Sequence, residues 1–266
     1  MVKDSRLIRS IFILSTIMLV TIFFALPVLT MLINAFSKGI IHYFDILKDE
    51  EALEAIKLSL LIVVIAIPIN LVFGIAASWC IAKFQFRGKD ILMSLIDLPL
   101  SISPIISGFM FLSIFGIDSL IGSWLDKYDM QFIFAIPAII ITTLFVTLPF
   151  MARELIPIMV EYGNDEEEAA ISLGASGLKT FIYVTLPNIK WGVLYGLLLS
   201  LSRAFGEFGA VSVVSGHIRG ETITIPMHVE ILYNEYNYVA AFALASVLAF
   251  LSMIALIIKN SFYRNN

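Results

Sequence analysis

Arg203 and Glu207 lie four residues apart in an apolar run from Trp191 to Val213, so a guanidinium and a carboxylate share a stretch otherwise made for hydrocarbon. An unpaired charge near the centre of a membrane helix costs at least roughly 2.5–3.5 kcal/mol, so Arg203 must face a partner or water. Two chemistries suit it. Its planar fork matches a tetrahedral oxyanion, and Glu207, one helical turn on, is within reach as an ion-pair partner, in the less favourable order for a helix. Asp97 lies in another apolar run. With Arg203 and Glu207 it sums to −1 if all three ionise, a poor environment for a dianion. A structural ion pair or gate, direct contact with an anion, and a contact between subunits all remain open for Arg203.

The run holding Asp97 also carries Pro99 and Pro104, with Ser101, Ser103 and Ser107 between and after them. Prolines free backbone carbonyls and kink a helix, and irregular backbone survives at membrane depth only where protein or water covers it. The pattern predicts a span beside a polar path. Ser103 and Ser107 share a face if the helix continues, and their hydroxyls can donate to an oxyanion. The alternative is that they cap the kink or satisfy neighbouring backbone.

A third group suits docking rather than bond-making. It sits in a polar stretch from about residue 151 to 190, in the middle of a hydrophobic chain. Asn164 before Asp165, Glu166 and Glu167 reads as an N-cap with acids in the first turn, and Glu167 at the third helical position completes a pattern like a capping box. Glu168-Ala169-Ala170 then leads through Ile171-Ser172-Leu173 to Gly174. Ala169, Ala170 and Leu173 give a small-residue face, and Gly174-Ala175-Ser176-Gly177 supplies a C-cap and turn. Leu178 to Thr185 resumes a helix, which Pro187, after Leu186, is expected to end. Such a pair lets another protein's groove approach closely, and a rigid bend fixes how it leaves the rest of the chain. A solvated acidic hairpin with no partner is the alternative.

Motifs for bond-making are missing. No G-x-x-x-x-G-K-[ST] loop is present; Gly88-Lys89 is followed by Asp90 and lacks the upstream glycine, so the chain is not expected to hydrolyse ATP alone and is not read as an enzyme. His42, His217 and His228 are spread over outer segments without metal-ligand spacing, and are expected to be solvated. The one cysteine, Cys80, has no partner for a disulfide and reads as a small packing residue.

The elements that must position these groups are membrane helices. Hydrophobic residues make up 59% of the 266 and charged ones 14%, and the mean hydropathy is +0.95, outside the range of soluble domains. A span takes roughly 20 apolar residues. Six are predicted, at about 11–33, 57–82, 91–115, 132–150, 191–213 and 239–258, in a single integral domain over 1–266. The first follows Lys3, Arg6 and Arg9 but is longer than a signal-peptide core and lacks a cleavage site, so it is read as a retained span. With both ends inside, inner segments hold Lys3, Arg6, Arg9, Lys83, Arg87, Lys89, Arg153, Lys179, Lys190, Lys259 and Arg264, whereas outer ones hold only Lys38, Lys48, Lys57, Lys127 and Arg219. Basic loops stay in the cytoplasm, so this predicts both termini and the segment 151–190 inside. The outer acidic stretch Phe44 to Lys57 reads as an amphipathic surface helix. The segment Gly216 to Tyr238 fits a re-entrant gate, a docking surface or an ordinary loop. A net charge of −4 argues against nucleic acid.

Glu168 to Gly174, followed by Val184-Thr185-Leu186-Pro187, resembles the EAA loop by which the membrane subunits of ATP-binding-cassette importers hold their ATPase, with Val184 where that family usually has Ile. The likeness extends to Asp97 through Gly108, Phe145 through Pro157, Ala204 through Gly220 and His228 through Tyr236. Together, from about residue 57 to 258, these resemble the W-type permeases of bacterial sulfate/thiosulfate importers. The resemblance implies an all-α, type I importer permease fold of about six transmembrane helices in the cell inner or plasma membrane. It assigns ATPase coupling to Glu168, Ala169, Ala170, Gly174, Leu186 and Pro187, and implies a path or gate for which Arg203, Glu207, Ser101, Ser103, Ser107 and Asp97 are the candidates. It also implies a T-type permease as heterodimer partner, two cytoplasmic ATPase subunits that use ATP, and an extracytoplasmic sulfate-binding protein. No cofactor would be bound by this chain itself. A molybdate/tungstate or other oxyanion permease is the alternative of the same kind. A stand-alone channel or secondary transporter would be expected to carry inverted repeats and several midplane charges, which are not evident.

Overall fold

The computed structural model describes residues 6–263; Lys3 and Arg264, which enter the orientation count, lie outside the described residues. Every regular element among the described residues is helical. Helices α1 (Arg6–Val20) and α2 (Leu26–Ala35) are joined by a wide π turn, Thr21–Ala25, into one apolar rod. Helices α3 (Ile40–Leu47) and α4 (Glu50–Lys83) follow. The expected surface helix at 44–57 is therefore split, because its second half belongs to α4. Asp49 precedes that helix, and Glu50 and Glu51 in its first turn sit where the helix dipole favours negative charge.

Next come α5 (Lys89–Ser101) and α6 (Pro104–Phe115), α7 (Leu120–Asp126) and α8 (Ile136–Tyr162). The polar segment forms α9 (Asp165–Ser172) and α10 (Gly177–Thr180), and a second π turn, Phe181–Thr185, leads into α11 (Leu186–Phe205). The chain closes with α12 (Gly209–Val214), α13 (Ile225–Asn234) and α14 (Tyr238–Tyr263).

Among the described residues, four helices are long and apolar enough to cross a membrane: Ile8–Ala35, Glu50–Lys83, Ile136–Tyr162 and Gly177–Phe205. A fifth span is made only if α5 and α6 count as one, and they meet at 111°. The apolar part of α14, Tyr238–Ile254, is shorter. Two predicted spans are thus not single rods. Residues 91–115 break at Ile102 and Ser103, because Pro104 denies an amide to the turn behind it and disfavours the helical conformation for the residue before it. Residues 191–213 break at Gly206 to Phe208.

Both π turns stop just before a Leu-Pro pair, Leu26-Pro27 and Leu186-Pro187. A proline inside a helix lacks the amide and its ring strikes the carbonyl four residues back. One extra residue in the turn relieves both problems, so the helix continues. The expectation that Pro187 ends its helix is corrected for this reason: it stands in the first turn of α11.

Helices α4, α8 and α11 form the core. Met151 of α8 is fully buried between Gly74 of α4 and Gly196 of α11, where an added methyl group would stand 2.3 Å and 2.5 Å from its side chain. Leu155, Met159 and Ile189 extend this cluster, and Leu58, Ile62, Ile139, Val211 and Met227 fill the opposite end. Asn70 of α4 donates to the Thr147 hydroxyl of α8 at 2.6 Å, a polar bond of the sort that holds helices together in lipid. The rod of α1 and α2 is different: its most apolar stretch has no buried residue.

Candidate coupling and translocation site

Helix α9 starts at Asp165, as the acids after Asn164 predict, but the cap is not the expected one. The Asn164 side chain makes no capping bond, and Glu167 does not turn back to the helix start. Its Oε1 accepts from Thr185 Oγ1 at 2.6 Å, and its Oε2 lies 3.2 Å from Lys83 Nζ at the end of α4. Lys83 also donates to the Gly163 carbonyl, and Glu166 accepts from Asn188 of α11. A cation and two polar groups from neighbouring helices outcompete the helix's own solvated amides for these carboxylates.

The turn after α9 is a Schellman motif: Gly174 N–H donates to the Ile171 carbonyl at 2.9 Å and Ala175 N–H to the Ala170 carbonyl at 3.0 Å. Gly174 has φ +89°, which only glycine adopts freely. Glu168 and Ala169 are exposed, Ala170 is half-buried, Leu186 is half-buried and Pro187 is exposed. Around them Leu173 is 90% exposed and Tyr183 76%, with Leu178 and Ile171 also open. An uncovered apolar tip thus stands on a base that is tied to α4, α8 and α11.

Arg203 is in the last turn of α11 and Glu207 in the break that follows. Arg203 Nη1 and Glu207 Oε2 pair at 2.5 Å, with the glutamate side chain only 1% exposed. Glu207 Oε1 also accepts from Ala210 N–H at 2.9 Å, so the carboxylate caps α12 as well. The ion pair expected as one reading for Arg203 is thus formed. Ser59, Thr143, Phe205 and Thr224 line a gap of about 10 Å³ beside Glu207, room for about one water.

Asp97 does not join that pair. It accepts from Arg153 Nε of α8 at 2.8 Å, and both side chains are well exposed. The expected three-group sum of −1 is therefore corrected: each acid has its own arginine. Ser103 and Ser107 do not share a continuing helix face, because the helix breaks before Pro104. Ser107 is fully buried, and its hydroxyl is directed at the Ser103 carbonyl at 3.3 Å. Ser101 and Ser103 are exposed. A cavity of about 830 Å³ lies instead between α6, α7 and residues 129–134, and touches neither Arg203 nor these three serines.

Residues 216–224 turn back over α4. Arg219 holds Glu51 of α4, at 3.0 Å, and Glu235 after α13. These hydrogen bonds, Glu235's first, raise the pKa of the guanidinium above its ordinary value. Two histidines expected in solvent are not simply solvated. His217 bonds through Nε2 to the Ser212 carbonyl at 3.1 Å. His228 is 3% exposed, and burial lowers its pKa. No group of three metal-ligating side chains is found among the described residues.

Sequence reasoning missed Lys83 and Asn188 as partners of this segment, and the bonds that Glu166 and Thr185 make. Lys83 is 84 positions from its partner Glu167, and no local pattern marks such a pair.

The family model described as binding-protein-dependent transport system inner membrane component matches residues 70–265. The sulfate transport system permease protein CysW of Escherichia coli is 46% identical over 244 residues, 91% of this chain and 84% of that protein. The sulfate transport system permease protein CysT of the same organism is 30% identical over 247 residues, 93% of this chain and 89% of that one. A solved bacterial alginate ABC transporter, in complex with an alginate pentasaccharide-bound periplasmic protein, shares the fold at a TM-score of 0.80 and 18% identity, over 96% of this chain and 93% of the other.

Proposed function

The chain belongs to the binding-protein-dependent transport system inner membrane component family, and from that premise we propose that it is the W-type permease subunit of an ATP-driven sulfate/thiosulfate importer. The kinship to CysW supports the substrate, and the kinship to CysT supports a related permease as the second half of the path. The observation that carries the mechanism is the exposed apolar tip of α9 and α10 on a base fastened to three core helices. Such a tip fits a groove on a separate ATPase, and Glu168, Ala169, Ala170, Gly174, Leu186 and Pro187 shape it. Two ATPase subunits bind and spend ATP, and this chain binds no cofactor of its own. An external sulfate-binding protein delivers the anion. Approach of the ATPase subunits tilts the bundles from inward-open to outward-open, and hydrolysis returns them.

The chain spans the inner or plasma membrane six times in this reading, with α5 plus α6 as one bent span, α14 as the last, and both termini inside. Placement of the basic residues supports that orientation. Arg203 and Glu207 act as a closed ion pair at the path and not as a free anion site, and Ser101, Ser103, Ser107 and Asp97 flank the bend beside it. Strong selectivity then rests with the binding protein.

Uptake of labelled sulfate in cells lacking this chain, restored by the plasmid-borne gene, tests the assignment. Competition by thiosulfate is expected. If molybdate competed better than either, the substrate reading would fail while the importer reading stood. If residues 164–187 were labelled from outside the cell, both would fail.

A further inference from the structure

Three helices converge on one carboxylate. Glu167, in the first turn of α9, is 16% exposed and takes Lys83 Nζ from the end of α4 at 3.2 Å and Thr185 Oγ1 from the start of α11 at 2.6 Å. Lys83, 7% exposed, also holds the carbonyl of Gly163, where α8 ends. Asn188 of α11 holds Glu166 beside it. The cleft among Lys83, Met159, Gly163, Glu167, Thr185 and Ile189 encloses about 10 Å³, space for about one water. Charged hydrogen bonds that exclude water are stronger and stiffer than surface ion pairs.

We propose that Lys83, Glu167 and Thr185 form a clamp that makes the coupling helix and the inner ends of α4 and α11 move as one body. Lys83 is then a positioning residue for transport: it touches neither ATPase nor anion, and it transmits displacement of α9 into the core. The exposed face of α9, which includes Glu168, Ile171 and Leu173, is left free for docking. The π turn at Phe181–Thr185 places the Thr185 hydroxyl at the seam where α11 begins. The clamp rests on the permease reading above, because it has work to do only if a motor moves α9.

The test uses the full complex in proteoliposomes, with ATP hydrolysis and sulfate uptake measured on one sample. In Lys83→Met, Glu167→Gln and the near-isosteric Thr185→Val, the ATPase subunits are expected to remain bound and to hydrolyse ATP. Sulfate moved per ATP should fall, about tenfold for the two charge variants, within the range of coupled pairs, and less for Thr185→Val. The exchange Lys83→Glu with Glu167→Lys should recover most of that ratio. An unchanged ratio in all three single variants overturns the clamp. Loss of ATPase from them, with the unaltered complex intact, also overturns it, because these residues would then be docking determinants. Should Lys83→Met and Glu167→Gln fail to fold, Thr185→Val and the exchanged pair decide alone. If the unaltered chain carries no ATPase, it is the permease reading that falls.

Discussion

The tip of α9 and α10 and the break after Phe205 are both polar interruptions of an apolar chain, and they handle polarity in opposite ways. At the tip, Glu166 and Glu167 turn inward to hold the base while Leu173 and Tyr183 face outward. At the break the charges themselves are closed on one another: Glu207 is buried, paired with Arg203 and used to cap α12. An acid at the tip secures an attachment, whereas the acid at the break secures the interior. Changes to the outward-facing residues and the turn of the first region should weaken docking with little effect on stability, whereas changes at the second should lower stability.

The largest effect should come from Arg203→Met, which leaves Glu207 buried without its cation. Stranding a buried charge costs about 3–5 kcal/mol, so thermal unfolding of the purified subunit should shift sharply downward, and transport should fall with it. An unchanged Tm would remove the distinction between the two regions. Gly174→Val comes next. A side chain in the left-handed region costs roughly 1–2 kcal/mol, but the strain falls on an exposed turn. Recovery of the ATPase with the permease should drop about 5- to 30-fold, while insertion and Tm stay close to those of the unaltered protein.

A smaller effect follows from His228. Its folded pKa lies below the ordinary value because of burial, so the unfolded chain takes up the proton more readily. Stability is therefore fully present above about pH 6.5 and declines as pH falls from there toward the folded pKa. Thermal unfolding scanned from pH 7.5 to 5 should show this slope, and His228→Asn should flatten it. The smallest change is expected for Arg153→Gln. Its pair with Asp97 is exposed on both sides, and such pairs are worth about 0–1 kcal/mol, so Tm should not move measurably.

Local features of the fold are legible in the sequence, and those made by packing are not. The start of α9, the bend at Gly174 and the apolar spans are written in short windows: acids after Asn164, a glycine after a helical run, some twenty apolar residues. For the same reason the expected span 57–82 lies within α4, and 132–150 overlaps α8 from Ile136 onward. Pro187 misled because a lone proline in sequence gives no sign of the extra residue that lets a helix pass it. Glu167 misled because its rivals for the helix amide, Lys83 and Thr185, arrive only when α4 and α11 pack. The 111° bend exceeds what a kink implies: Pro99 and Pro104 show where a helix weakens, but nothing local in the sequence shows that α6 packs against α12.

That bend has a mechanical meaning. The backbone bonds of α5 end with Ile102 N–H to the Leu98 carbonyl, and those of α6 open with Ser107 N–H to the Ser103 carbonyl. A straight rod would have to snap bonds to change direction, but an elbow already divided there can swing by torsion of a few dihedral angles. Compliance is thus concentrated at one joint, so the two halves can reorient without melting either helix.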